Sequence, residues 1–103
     1  MPKNKNAEHR FLILDRCFSD FSHKYSFEDL LDMVNDQLYD ANGAKSMIMD
    51  RQLRGDLNAI RKMLPEGIYL EAIPFEGKKC YYRYSEQDFS IYKNELSVAE
   101  VQN

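Results

Sequence analysis

The chain has no tryptophan and only two cysteines, three prolines and four glycines among its 103 residues. Two cysteines, Cys17 and Cys80, cannot build the disulfide framework of a small secreted domain, so a reducing, cytoplasmic setting is expected. The scarcity of glycine and proline excludes collagen-like and loop-dominated proteins. No apolar run is longer than the four residues Phe11–Leu14, far short of the roughly 20 needed to cross a bilayer. No membrane partner is therefore expected. The opening residues lack the basic, apolar and small-residue succession of a secretory signal, so none is expected.

Catalytic patterns are as scarce. His9 and His23 lie fourteen residues apart, not at the i, i+4 spacing that puts two metal ligands on one helix face. No Cys-x-x-Cys, phosphate-cradling glycine loop or nucleophile elbow occurs. The carboxylates recur at helical spacing, as on solvated faces. An enzyme is not expected, and neither a metal nor another cofactor is called for.

What is present is an ordinary globular composition, 44% hydrophobic and 30% charged, with thirteen Tyr and Phe to supply a core. The length suits one domain. The net charge of −3 hides an uneven distribution. Residues 1–42 carry five basic and eight acidic side chains, residues 43–83 eight and five, and residues 84–103 one and four. A basic middle between acidic ends suggests one face for a polyanion. A solvated surface of mixed charge is the competing reading.

Residues 1–6 are polar and expected to fray. From Ala7 to about Asp20, Phe11, Leu14, Cys17, Phe18 and Phe21 fall at helical spacing. Ser26 and Asp29 form a variant capping box before Phe27, Leu30, Leu31, Val34 and Leu38. The opposite face of this second helix carries Glu28, Asp32, Asp36 and Asp40, and Asn42-Gly43 ends it. A third helix is expected from about Asp50, as cap, to Leu64, before Pro65 and Gly67. Leu53, Leu57, Ile60 and Leu64 form its apolar stripe. The period then shortens, and Ile68–Phe75 and Lys79–Tyr84 read as a β-hairpin around Glu76-Gly77-Lys78. Residues 85–103 read as a connection. Ser97-Val98-Ala99-Glu100 is a capping box that announces a further helix, so either a longer chain continues there or the end frays.

Helix, helix, basic helix, hairpin is the order of a winged helix-turn-helix: mainly α, three helices plus a small β-hairpin as wing. Such a domain lays its third helix in the DNA major groove. Arg51, Gln52, Arg54 and Asn58 are long polar groups near the exposed front of that helix, suited to base edges. Lys45, Arg61, Lys62, Lys78 and Lys79 are the candidates for phosphates. The alternative is a winged-helix protein-interaction module without DNA binding, favoured by the acidic second helix.

The run Gln52-Leu53-Arg54-Gly55-Asp56-Leu57-Asn58-Ala59-Ile60 resembles the recognition-helix signature of DeoR-like winged helices. Over about residues 7–84 the chain resembles the amino-terminal DNA-binding region of bacterial WYL-domain transcriptional regulators. Arg16-Cys17-Phe18, Tyr25, Leu30-Leu31-Asp32-Met33-Val34-Asn35 and Lys79-Cys80-Tyr81-Tyr82-Arg83-Tyr84 carry this likeness, and Asn94-Glu95-Leu96-Ser97 resembles the link onward. The resemblance implies a cytoplasmic regulator that binds double-stranded DNA. It also implies a carboxyl-terminal domain that holds an effector, and we expect a homodimer assembled beyond Ser97. It places the family's Asp at Asp56, expected to orient an arginine or cap locally. Gly55 replaces the family's long polar residue, and Met49 replaces its opening serine, leaving Asp50 to cap the helix.

Overall fold

The computed structural model describes residues 5–87 and 89–92. Its elements are α1 (Lys5–Ser19), β1 (Tyr25–Ser26), α2 (Phe27–Asn42), α3 (Asp50–Met63), β2 (Leu70–Glu76) and β3 (Lys79–Tyr84). A 3-10 turn, Ala44–Ser46, lies between α2 and α3. Residues 1–4, and the capping box at Ser97 with the link before it, lie outside the described residues. Lys5 and Asn6, expected to fray, belong to α1.

The three helices converge on one core. Ile13, Leu14, Cys17 and Phe18 come from α1, Leu30, Val34 and Leu38 from α2, and Leu53, Leu57 and Ile60 from α3. Leu70 and Tyr84 close it from the sheet, with Phe18 and Tyr84 edge to face at 5.5 Å. The expected stripe of α1 needs correction. Ile13 belongs to the core, whereas Phe11 is only half-buried and Phe21 lies beyond the helix end. The buried face of α1 also includes Arg10 and Asp15, whose charges interrupt the apolar pattern. Burial presses the Cys17 thiol up to about 12, with Asp20 adding to the shift.

The start of α2 is as expected. Ser26 accepts from the Asp29 amide, and the Asp29 carboxylate accepts from the Ser26 amide. Gly43 ends the helix at φ 88, where a side chain would be strained, and its amide donates to the Tyr39 carbonyl. The turn into α3 is pinned by Asn35. Its amide group donates to the Ile48 carbonyl at 3.0 Å and accepts from the Ile48 amide at 2.7 Å. The expected cap of α3 is displaced by one residue. Asp50 is the first helical residue, and Met49 occupies the cap position with no side-chain hydrogen bond.

The sheet has three antiparallel strands in the order β1-β3-β2. The hairpin is the expected wing. Pro74, without an amide hydrogen, sits on edge strand β2. Strand β1 has only two residues, too few for a period, and pairs Tyr25 with Tyr82 and Ser26 with Tyr81. Alternation along β3 turns Tyr84 to the core, with Tyr81 and Arg83 on the opposite face of the sheet, where Tyr81 is buried too. There the Arg83 guanidinium lies 4.6 Å from the Phe21 ring centroid.

Past β3 the chain returns to α1. Phe89 meets Tyr84 edge to face at 4.9 Å, and the Ser19 hydroxyl donates to the Phe89 carbonyl. Buried Asp15 accepts from the Tyr84 hydroxyl at 2.6 Å, the Ser90 hydroxyl and the Ile91 amide. Burial and the Asp15 carboxylate raise the Tyr84 phenol. Phe89, Ser90 and Ile91 are therefore docked on the domain.

Candidate nucleic-acid interface

Helix α3 is amphipathic, and its polar half faces outward. Leu53, Leu57 and Ile60 are buried, while Arg51, Arg54, Gly55, Asn58, Arg61 and Lys62 are exposed. The dipole suits this charge pattern, with Asp50 in the first turn and Arg61 and Lys62 in the last.

Two adjoining grooves run from this face to the wing. The first is lined by Phe27, Glu28, Asp50, Arg54, Leu57, Asn58, Arg61 and Tyr82. The second is lined by Ser26, Phe27, Glu28, Lys78, Lys79, Cys80 and Tyr82. Phe27, Glu28 and Tyr82 belong to both, so the front of α3 and the basic wing tip border one continuous valley. The start of α2 and the inner face of the sheet form its middle.

Several of its side chains are held in place. The Arg54 guanidinium lies over the Phe27 ring at 5.4 Å, a cation–π contact that orients its donors. Arg61 donates to the Asn58 side-chain oxygen at 3.1 Å. At the wing tip Gly77 has φ 56, and Lys78 and Lys79 are exposed beside it. Glu28 places one carboxylate in the middle of the valley, where it repels phosphate.

The other site residues expected from the sequence are distributed differently. Arg51 and Lys62 are exposed on α3 but do not line the valley, and Lys45 is exposed on the 3-10 turn. Gln52 is turned along its helix, donating from Nε2 to Asp56 Oδ1 at 3.0 Å. Asp56 in turn holds Arg10, with Nε to Oδ2 at 2.6 Å and Nη2 to Oδ1 at 3.1 Å. Asp56 thus orients an arginine, but one from α1. The pair is almost wholly buried and ties α1 to the inner side of α3. Nothing local in the sequence connects residues 46 positions apart, so this clamp was invisible there.

Three helices packed around one core, with an exposed basic third helix followed by an antiparallel hairpin, define a winged helix. A family model described as the N-terminal winged helix domain of WYL domain-containing proteins matches residues 6–85, and the chain belongs to that family. No curated protein and no solved structure matches the chain. Among the described residues no helix is long and apolar enough to cross a membrane.

Proposed function

We propose that this chain is the DNA-binding module of a bacterial transcriptional regulator. The observation that carries the reading is the single valley bordered by Arg54, Asn58 and Arg61 on one side and Lys78 and Lys79 on the other. A duplex whose major groove receives α3 has its backbone within reach of the wing. Arg51, Arg54 and Asn58 face base edges, where arginine suits guanine O6 and N7 and asparagine suits adenine N6 and N7. Gln52, its amide engaged by Asp56, positions the clamp behind them. Lys78, Lys79, Arg61, Lys62 and Lys45 meet phosphates.

A single winged helix covers only about 600–1,000 Å² of DNA. The full regulator is therefore read as a homodimer on a two-fold site, acting in the cytoplasm. Linking two modules raises avidity about 10²–10⁴-fold. Its WYL domain would hold an effector.

The test is a DNA titration with a matched thermal melt of Arg51→Ala and Arg54→Ala. Each is expected to lose about 1–3 kcal/mol of binding to a selected site. The melt should stay near wild type, because both side chains are exposed. Unchanged affinity in both variants would remove α3 from the major groove and leave the protein-interaction reading.

A further inference from the structure

The head of α3 breaks two local rules at one residue. Met49 is 79% exposed, the most exposed of the large hydrophobic side chains among the described residues. It also occupies the cap position of α3 without making a side-chain hydrogen bond. Serine, threonine, aspartate or asparagine at a helix cap stabilises the helix, typically by about 1 kcal/mol over an apolar residue. A side chain so exposed buries little surface on folding and adds little to stability. Violations of local preference concentrate at functional positions. Met49 directly precedes Asp50, which lines the valley. The leading residues of a recognition helix are those that meet base edges.

Resting on the DNA-binding reading above, we propose that Met49 is a specificity-determining residue that reads the 5-methyl group of a thymine. Among the base edges of the major groove, thymine alone offers an apolar group, and apolar side chains pack against it. The unbranched thioether is flexible and polarisable enough to follow that methyl across small changes of docking angle. Arg51 and Arg54, on the same helix, supply polar readout and Met49 the apolar one. Met47, 47% exposed two residues earlier, is the neighbouring side chain against which the assignment is tested.

The experiment begins by selecting a binding site for the wild-type chain from a pool of random duplexes. Each thymine of that site is then replaced singly by deoxyuridine, which lacks only the methyl. One replacement should weaken wild-type binding roughly fourfold, the worth of one buried methyl-sized group. Met49→Ser should bind the thymine and deoxyuridine sites equally, while Met49→Leu and Met47→Ser should keep the wild-type difference. Because serine restores a cap, Met49→Ser should melt no lower than wild type, which separates lost readout from lost fold. Equal deoxyuridine sensitivity in Met49→Ser and wild type overturns the assignment, as does a wild type insensitive at every thymine. Loss of the difference in Met47→Ser transfers the reading to Met47 and also overturns it. If the wild type selects no duplex at all, the DNA-binding reading itself has failed.

Discussion

At the scale of single residues, the side chains that matter most are charged and inward. Arg10 and Asp56 neutralise each other in a site from which water is excluded. Removing one partner leaves an uncompensated buried charge, so Asp56→Ala should cost about 3–5 kcal/mol. Exchanging both for apolar residues of similar volume, as in Arg10→Met with Asp56→Leu, should recover most of that loss. Denaturant unfolding of the two variants checks this; a double variant no more stable than Asp56→Ala would show that the loss does not come from a stranded buried charge. Gly55 presents the opposite case. It lies exposed within α3, and a β-carbon built there meets no atom within 4 Å. Gly55→Ala should therefore raise stability by about 1 kcal/mol through helix propensity. On the reading that the bare backbone lets a duplex approach closely, the same variant should bind DNA more weakly. A higher melt with unchanged binding would place the duplex farther from α3.

At the scale of elements, the proposed function gives α3 and the wing separable tasks. The wing tip carries Lys78 on the turn and Lys79 at the start of β3, both exposed. Phosphate contacts position a protein without reading sequence. Lys78→Ala and Lys79→Ala should each weaken binding about equally on all duplexes. Each should also flatten the plot of log affinity against log salt by about 0.9. A changed base preference with an unchanged salt slope would make the wing a reader. The turn before α3 is held differently, by the paired bonds of Asn35 to Ile48. That element fixes where the head of α3 stands relative to α2, hence where Met49 and Arg51 project.

At the scale of the whole molecule, two buried titratable groups set an alkaline limit. Burial holds the Cys17 thiol up near 12 from an ordinary 9.0, and it also raises the Tyr84 phenol. Both groups bind their protons more tightly when folded than when unfolded. Their contribution is thus complete below the ordinary values and is lost as pH climbs toward the folded ones. Unfolding free energy should hold level up to about pH 9 and then fall toward pH 12. Denaturant titrations across that range test it, and a level profile through pH 11 would count against burial of these groups in solution. The Asp15 cluster has a further consequence at this scale. From α1 it bonds to β3 and to the chain leaving β3 at once, so the exit direction is tied to the core.

The sequence by itself determined the three helices, the hairpin and the basic outer face of α3. Each rests on local information: a 3.6-residue or 2-residue period, a capping box at Ser26, breakers at Gly43 and Pro65. These signals act within a few residues, and so they can be read without a partner in view. The resemblance carried by the run Gln52–Ile60 added the family, which the match over residues 6–85 bears out. Tertiary structure alone decided the role of Asp56, the docking of Ser90 and Ile91 through Asp15, the strand Tyr25–Ser26 and the position of Gln52. It also brought Lys78 and Lys79 to the valley of Arg54. Each depends on groups far apart in the chain whose pairing follows from packing, and charged residues such as Arg10 and Asp15 look solvated until a partner across the core is in place.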